Sequence, residues 1–231
     1  ALRAAGIEVN ALVARYPEKT AARAAKVGVE RGLTSLDEAL ALPGVDIVSV
    51  ATPPHTHAVI VLDAVAAGKH VLCEKPFAAN AAEVERVLRV AEHTDLVVAE
   101  AMHFRYHPLV DRVRQIIRDG EIGNITQIDA SFSAYLPFND FRFEYETGGG
   151  GTIDMGCYPI GFIRAVTEQE PTVLEAEAGL HGSLIDRWMR AQMRLPSGCD
   201  VNLFVGMRCS KLLSVSMKIK GSRGAIGIIN F

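Results

Sequence analysis

Apolar and polar residues follow two different periodic patterns along this chain of 231 residues. Up to about residue 120, short apolar runs alternate with amphipathic stretches, and residues 45–51 are almost all apolar, as in a strand buried on both faces. The pattern predicts strands at 7–14, 45–51, 70–73 and 96–101, and helices at 18–27, 35–42, 56–67, 80–92 and 108–118. Such alternation indicates a parallel sheet with right-handed crossovers.

Beyond residue 121 the apolar residues follow the two-residue period of half-exposed strands. A long strand is predicted at 125–136, a glycine run occupies 148–151, and a helix follows at 152–166. Five further strands are predicted at 173–180, 188–195, 199–207, 212–220 and 225–230. We therefore expect an α/β domain over residues 1–120 and, over 121–231, an α+β domain with an open, mostly antiparallel sheet.

The start of the chain has the pattern of a dinucleotide-binding fold that lacks its first unit. Residues 1–5 look like the end of a helix, and Gly6 is a typical helix stop. A complete fold of the Rossmann type opens with a strand, a Gly-x-Gly-x-x-Gly turn and a helix. We expect a Rossmann-type parallel sheet whose first strand and glycine-rich turn are missing from this sequence.

Composition argues against several kinds of partner and site. The formal charge of −3 gives no reason to expect nucleic acid or an anionic membrane, and no apolar run approaches the roughly 18 residues of a membrane span. The four cysteines include no Cys-x-x-Cys pair and have no histidine at zinc-like spacing, so no metal site is expected. Reduced thiols favour a cytoplasmic protein.

The most informative stretch is residues 68–77, in which Glu74, Lys75 and Pro76 follow a short predicted strand. Ligands of open α/β sheets bind outside the carboxyl ends of the strands, so a charged pair here is well placed for chemistry. Proline fixes the backbone immediately after Lys75. The alternative is a surface strand end with solvated charges, and this stretch alone does not decide between the two.

Two other strand ends carry candidate cofactor-binding residues. Arg15 stands where NAD-selective folds have an acid, and its guanidinium suits the 2′-phosphate of NADP; an ordinary solvated arginine is the alternative. Thr52, Pro53 and His57 lie in or next to the loop after the most hydrophobic strand. A metal pair of His55 and His57 is disfavoured because no acid or cysteine is nearby, and we expect His57 to cap the helix or to face the cofactor.

Asp154 and Tyr158 are candidates for the reacting site itself. Their spacing of four residues predicts that both side chains project from one face of a helix. A phenol can exchange a proton with a substrate hydroxyl, and a neighbouring ammonium such as Lys75 favours the ionised phenol. The preceding glycines would let the backbone approach a ligand closely. The alternative is a flexible loop followed by a core helix with a buried tyrosine.

Two arginines are candidates for substrate binding. Arg105 belongs to a polar cluster at the carboxyl end of a predicted strand, and Arg142 lies in an aromatic-rich loop. Both could bind the hydroxyl groups of a polar ring. Alternatively these segments line a domain interface, which we favour for His103 and Phe104.

Five motifs occur in a fixed order over most of the chain. They are Ala-Thr-Pro-Pro-His-Thr-His-Ala at 51–58, Ala-Gly-Lys-His-Val-Leu-Cys-Glu-Lys-Pro-Phe at 67–77, Glu-Ala-Met-His-Phe-Arg-Tyr-His-Pro at 100–108, Gly-Glu-Ile-Gly at 120–123, and Gly-Gly-Gly-Gly-Thr-Ile-Asp-Met-Gly-Cys-Tyr-Pro at 148–159. Together they resemble the glucose–fructose oxidoreductase / inositol dehydrogenase / MocA (Gfo/Idh/MocA) family. The set is most similar to the branch of dimeric dihydrodiol dehydrogenases and NADP-linked xylose dehydrogenases, in which a tyrosine matches Tyr158.

This resemblance implies a Rossmann domain and a second domain whose exposed sheet face pairs subunits. It implies that Lys75 lies beside the nicotinamide, before a cis peptide, and that Tyr158 is the acid/base. Asp154 and Arg142 would shape the substrate site. The sequence departs from the family pattern in lacking the glycine fingerprint, in having Pro54 where asparagine is frequent, and in having Gly161 where many relatives have aspartate.

The function expected from the residues and the resemblance is hydride transfer by an oxidoreductase. The cofactor would be NADP, with NAD as the alternative, and the substrate a sugar or cyclic diol. A homodimer or higher homo-oligomer would form through the C-terminal sheet. The main alternative is a non-catalytic nucleotide- or sugar-binding module of the same fold, and a metal-dependent lyase using His55 and His57 is a distant third.

Overall fold

The computed structural model describes residues 2–209 and 213–230. Backbone contacts divide the chain into two units, of which the first comprises Ala1–Thr52 and Thr56–Glu100, and the second Pro53–His55 and Ala101–Phe231. Each unit contains a hydrophobic core of its own. The first residue of the strand predicted at 212–220 lies outside the described residues.

The first unit alternates strands and helices as the sequence pattern predicts. Its strands are β1 (Ala11–Val13), β2 (Arg31–Leu33), β3 (Ile47–Val50), β4 (His70–Cys73) and β5 (Val98–Glu100), and its helices are α1 (Pro17–Lys26), α2 (Leu36–Leu40), α3 (His57–Ala66) and α4 (Ala81–Ala91). Ser35 and Asn80 cap α2 and α4, each accepting a hydrogen bond from a backbone N–H in the first turn. The sequence pattern does not predict β2, because these three residues include no apolar run.

The strands of the first unit form two parallel sheets rather than one. β1 pairs with β2, and β3, β4 and β5 pair in that order. Among the described residues, no strand connects β1 to β3. Helix α3 packs on β4, and α4 packs on α3. Their common core contains fully buried side chains such as Val61, Val71 and Val87, and burying each such side chain stabilises the fold by about 1.5–3 kcal/mol. The predicted parallel pairing is confirmed, while the single continuous sheet is not observed.

The second unit is built on a six-stranded mixed sheet. Its strands are β6 (Ile125–Ala134), β7 (Thr172–His181), β8 (Ile185–Arg194), β9 (Asp200–Met207), β10 (Leu213–Gly221) and β11 (Ala225–Ile229), in the spatial order β11-β10-β6-β9-β8-β7. β6 and β9 run parallel, and the other neighbouring pairs run antiparallel. The predicted open and mostly antiparallel sheet is confirmed.

Two helices, α5 (Pro108–Arg118) and α6 (Cys157–Thr167), belong to this second unit. Val113 of α5 and Phe162 of α6 are buried in the core, and Arg114 on α5 donates through Nε and Nη2 to the carbonyl of Ala165, at 3.1 and 2.8 Å. These contacts explain why α5 groups with the second unit, whereas the sequence pattern places it before a boundary near Gly120.

The helix predicted at 152–166 begins with a π-helical turn. Thr152–Gly156 is π-helical, and α6 follows directly from Cys157. A π turn bonds residue i to i+5 rather than i+4, so a four-residue spacing across it does not have the geometry of a regular α-helix. The expectation that Asp154 and Tyr158 share one helix face assumed regular geometry, which this turn does not have.

Candidate functional site

The carboxyl ends of β3, β4 and β5 form one polar edge of the first unit, which we call the carboxyl edge. In the register of the sheet, Val50 lies beside Cys73 and Cys73 beside Glu100, so the three strands end at the same level. Thr52 follows β3, and the segment from Glu74 to Pro76 follows β4. This is the position at which open α/β sheets bind their ligands.

Lys75 lies in the turn that leaves β4 at this edge. The Lys75–Pro76 peptide is cis, as the resemblance implies. Lys75 is half-buried and Pro76 is buried, whereas Glu74 is exposed. The backbone N–H of Lys75 donates to Oε2 of Glu74 at 3.2 Å, so the Glu74 carboxylate is held against the turn that carries Lys75.

His57 is completely buried and faces two backbone carbonyl groups. Its Nδ1 lies 2.9 Å from the Pro76 oxygen, and its Nε2 lies 2.7 Å from the Thr52 oxygen. Because a carbonyl oxygen only accepts, a neutral ring can donate to one of them and a protonated ring to both. His57 therefore joins the loop after β3 to the loop after β4, and both of its ring nitrogens are occupied by the protein itself.

Glu100, the last residue of β5, is a residue of this edge that the sequence pattern does not single out. Its Oε1 accepts a hydrogen bond from the N–H of Phe77 at 3.0 Å. The Cys73 thiol, which is fully buried, donates to the Phe77 carbonyl at 3.7 Å. Burial, with the carboxylates of Glu100 and Glu74, raises the pKa of the Cys73 thiol to about 12, so this cysteine is a structural group and not a nucleophile.

The remaining candidates of the first unit are more exposed. Arg15 lies shortly after β1 and is exposed. Thr52 is exposed, with its Oγ1 2.6 Å from that of Thr56, and Pro53 is half-buried. Within residues 2–209 and 213–230, no cluster of three or more His, Cys, Asp or Glu side chains could hold a metal ion.

Tyr158 lies on α6 in an aromatic cluster of the second unit. Its ring centroid is 5.2 Å from that of Phe132, 5.6 Å from that of His103 and 6.4 Å from that of Phe104. Tyr158 is half-buried, and Arg105 is exposed on the same 3₁₀ turn that carries His103 and Phe104. The ring is therefore held by packing while the side chain keeps solvent access.

Arg142 and Asp154 are brought together as an ion pair. The Nε of Arg142 donates to Oδ2 of Asp154 at 2.9 Å, and its Nη1 donates to Oδ1 of Asp140 at 3.1 Å. Burial disfavours the charged guanidinium, but the two carboxylates outweigh this effect and raise the pKa of Arg142. Charge-assisted pairs of this kind are geometrically specific, so the loop carrying Arg142 is fixed against the π turn carrying Asp154.

Other segments of the protein pack closely against the glycine run at residues 148–151. A Cβ at Gly149 would collide with the carbonyl oxygens of Arg142 and Glu144, and one at Gly150 would lie 2.7 Å from Oδ1 of Asp186. The N–H and hydroxyl of Thr152 donate to Oδ2 of Asp186 at 2.7 and 2.6 Å. The close approach found here is to backbone and to Asp186, which lies on β8 and which no local pattern indicates. A close approach of this backbone to a ligand stays a prediction.

The six-stranded sheet has one face packed on the core and one open face. Alternation places Asp129, Arg190, Asn202 and Phe204 on the open face, together with other polar side chains. Asp129 accepts hydrogen bonds from Asn202 and Gln127 at 2.8 and 2.6 Å. The Arg190 guanidinium lies over the ring of Phe204 at 5.9 Å. The open face is thus ordered by its own contacts.

The fold and its strand-end residues define a protein with a Rossmann-type nucleotide-binding unit and a mixed-sheet unit. Residues 1–102 match the model of an oxidoreductase family with an NAD-binding Rossmann fold, and residues 110–227 match the GFO/IDH/MocA C-terminal domain. The chain belongs to the GFO/IDH/MocA oxidoreductase family. No described helix is long and apolar enough to cross a membrane.

Relatives of this chain include named enzymes. It is 34% identical over 231 residues to the "Uncharacterized oxidoreductase ORF334" of Rhizobium meliloti, covering 99% of this chain and 69% of that protein. It is 28% identical over 224 residues to a trans-1,2-dihydrobenzene-1,2-diol dehydrogenase of Bos taurus (96% and 66%), and 29% identical over 205 residues to D-xylose 1-dehydrogenase (NADP(+)) 2 of Haloferax volcanii (88% and 63%). The predicted family resemblance is confirmed. The chain spans about two thirds of the length of these relatives.

A solved structure has the same fold. Levoglucosan dehydrogenase in complex with NADH and levoglucosan superposes with a TM-score of 0.87 at 22% identity, covering 95% of this chain and 64% of the other. At this identity the similarity establishes the fold alone.

Proposed function

We propose that this chain forms the catalytic part of an NAD(P)-dependent oxidoreductase. It transfers a hydride between nicotinamide and a carbon that bears a hydroxyl or carbonyl group in a sugar or cyclic diol. The observation that carries this proposal is the position of Lys75 at the carboxyl edge of a Rossmann-type sheet in a chain of this family. The names of the dihydrodiol and xylose dehydrogenases support the substrate class.

The residues of the carboxyl edge fit a dinucleotide. Thr52, Pro53, Glu74 and Lys75 follow the ends of neighbouring parallel strands, where such cofactors bind. His57 is buried with both ring nitrogens on carbonyl groups, so its contribution to cofactor binding is to hold these loops rather than to touch the ligand. The bound nicotinamide would supply the hydride acceptor or donor.

Proton transfer is assigned to Tyr158. During oxidation the ionised phenol of Tyr158 would accept the hydroxyl proton of the substrate and become neutral, and the ammonium of Lys75 would stabilise negative charge on the reacting oxygen. Arg142, Asp154 and Arg105 would form the substrate-binding wall. Because Arg142 is already paired with Asp154 and Asp140, it would act with donors that these carboxylates leave available, and its position would be fixed before the substrate arrives.

The preferred cofactor is proposed to be NADP. Exposed Arg15 near the end of β1 offers a planar donor fork that suits a 2′-phosphate, and the Haloferax relative is named as an NADP(+) enzyme. The levoglucosan dehydrogenase complex contains NADH, so NAD is the competing cofactor. An Arg15→Ala variant should lose affinity for NADPH and keep its affinity for NADH.

The open face of the six-stranded sheet is the proposed surface for homodimerisation. An exposed sheet face that carries Trp188 and Phe204 beside charged residues has the mixed character of a protein–protein interface. Charges of both signs, such as Arg190 and Asp129, provide partners for a second copy related by two-fold symmetry. A cytoplasmic location remains part of the proposal, because the spacing of the cysteines favours reduced thiols.

The experiment that tests the catalytic proposal is substitution of Tyr158 by phenylalanine in the full-length protein. We expect kcat with sugar or diol substrates to fall by about 10²- to 10⁴-fold while NADPH affinity stays unchanged, because only the proton-transfer group is lost. The matched control is Tyr106→Phe, at a tyrosine that is 77% exposed. If Tyr158→Phe turns over as fast as the control, the assignment is wrong.

A non-catalytic module of the same fold is the competing proposal. It would bind NADPH or a sugar at the same residues but would show no turnover with any sugar or diol. Tight cofactor binding without turnover across a substrate panel would favour this module over the enzyme.

A further inference from the structure

We infer that His57 and Glu100 are positioning residues that hold Lys75 in place by clamping the peptide group between Pro76 and Phe77. This inference rests on the proposed role of Lys75. It also goes beyond that role, because it assigns two residues that act through the backbone.

Both polar atoms of one peptide group are engaged from opposite sides. The carbonyl oxygen of Pro76 lies 2.9 Å from Nδ1 of His57, and the N–H of Phe77 donates to Oε1 of Glu100 at 3.0 Å. These atoms belong to the same planar unit, so fixing its two ends fixes the orientation of the plane. His57 opens α3 and Glu100 ends β5, so the two anchors come from different elements.

The clamped peptide is one residue away from Lys75. Only Pro76 stands between them, and its ring already fixes φ. Besides the fixed φ, only the ψ torsions of Lys75 and Pro76 separate this plane from the Cα–Cβ bond of Lys75, so fixing the plane limits the directions in which the Lys75 side chain leaves the backbone. The buried Cys73 thiol adds a further bond to the Phe77 carbonyl, which holds the far side of the turn.

The clamp extends across the whole carboxyl edge. Through Nε2, 2.7 Å from the Thr52 oxygen, His57 ties the exit of β3 to the exit of β4, and Glu100 ties β4 to β5. His57 is 0% exposed, so water does not compete for these contacts. A shift of one strand end would therefore move the turn that carries Lys75.

Neither residue has the geometry of a catalytic group. Both nitrogens of His57 face main-chain carbonyls in a buried position, and the contacting oxygen of Glu100 accepts from the main chain. Their effect on a reaction is expected through the position of Lys75, and a misplacement of about 1 Å can lower a rate by about a hundredfold.

The test compares Glu100→Ala, which removes the acceptor, with Glu100→Gln, which keeps a neutral oxygen at the same place. The control is Glu85→Ala, at an exposed glutamate of α4. Hydrogen exchange of the Phe77 amide is measured without cofactor, and kcat and NADPH affinity are measured separately.

With Glu100→Ala, we expect exchange at Phe77 to rise about tenfold or more and kcat to fall about 10- to 100-fold, with little change in NADPH affinity. Glu100→Gln should lie between wild type and Glu100→Ala in both readouts, because a neutral acceptor forms a weaker bond. If Glu100→Ala does not fold, the intermediate behaviour of Glu100→Gln is the test by itself.

Unchanged exchange at Phe77 in Glu100→Ala would overturn the clamp, and so would a Glu100→Gln variant that protects Phe77 fully yet is as inactive as Glu100→Ala. Failure of the proposed function would look different. In that case Lys75→Met would keep its turnover, while the exchange measurement, which needs neither cofactor nor substrate, would still report on the clamp.

Discussion

The two candidate regions are held together in different ways. At the carboxyl edge, the turn that carries Lys75 is fixed through its backbone, by contacts from His57, Glu100 and Cys73. In the second unit, side chains hold one another, through the ion pairs of Arg142 and through the packing of Phe132 and neighbouring aromatic rings on Tyr158. A turn bonded through its main chain cannot adjust without breaking those bonds, whereas side chains can change rotamer. Substitutions at the first region should therefore act on the rate. Those at the second, apart from Tyr158 itself, should act on substrate binding and local folding.

The largest effect is expected for substitution of Lys75. If this effect is absent, the comparison between the two regions is contradicted. Lys75→Met should lower kcat by about 10²- to 10⁴-fold if Lys75 has the proposed role, because the charge proposed to stabilise the reacting oxygen would be lost from a turn that cannot bring another group into place. Steady-state kinetics with a sugar or diol panel measures this. Lys26→Met, at an exposed lysine near the end of α1, is the control and should behave as wild type.

A smaller effect, on stability, is expected at the glycine run of the second region. Gly149→Ala would drive a methyl group into the carbonyls of Arg142 and Glu144, so we expect a loss of about 1–3 kcal/mol in the free energy of unfolding. At Gly227, a Cβ would meet nothing within 4 Å, and Gly227→Ala should be neutral or slightly stabilising. Thermal and urea unfolding measure the stability of both variants. If they are equally stable, the loop moves to accommodate the added methyl group at no measurable cost.

The smallest effect is expected on the open sheet face, where the charges are partly solvated. Burial acts to raise the pKa of Asp129, but the hydrogen bonds from Asn202, Lys220 and Gln127 outweigh it and the pKa is lowered. A carboxyl group with a lowered folded pKa adds stability above its unfolded value of about 3.9, and this stability is lost as the pH falls through the folded pKa.

In the monomeric chain, Asp129→Asn should therefore lower stability at pH 7 by less than about 1 kcal/mol, because solvent screens the charge, and the difference from wild type should vanish in strong acid. Urea unfolding at several pH values measures it. Asp37→Asn, at an exposed residue of α2, is the control. A difference that persists below the folded pKa would show that the carboxylate charge is not responsible.

The sequence predicts best what depends on neighbours in the chain. The helix caps at Ser35 and Asn80, the strand β4 and the position of Lys75 just beyond it follow from local periodicity and turn residues. The parallel strands of the first unit and the mostly antiparallel strands of the second follow from the two periodic patterns of apolar residues.

What the sequence does not predict depends on contacts between distant segments. Three such contacts connect residues far apart in the chain. Asp186 accepts a hydrogen bond from Thr152, Glu100 accepts one from the N–H of Phe77, and Arg114 on α5 donates to Ala165 on α6. The π turn at Thr152–Gly156 has no periodic signature of its own, so the spacing of Asp154 and Tyr158 was interpreted with regular helix geometry.

The most direct measurement is titration of the full-length protein with NADPH and NADH, followed by nicotinamide fluorescence. The proposal predicts saturable binding in the micromolar to millimolar range usual for enzyme substrates, with NADPH bound more tightly than NADH and with the preference removed in Arg15→Ala. A preference for NADH would contradict the role of Arg15 and leave the oxidoreductase in place. Binding of neither nucleotide would contradict the central claim that this chain belongs to a working nicotinamide-dependent enzyme.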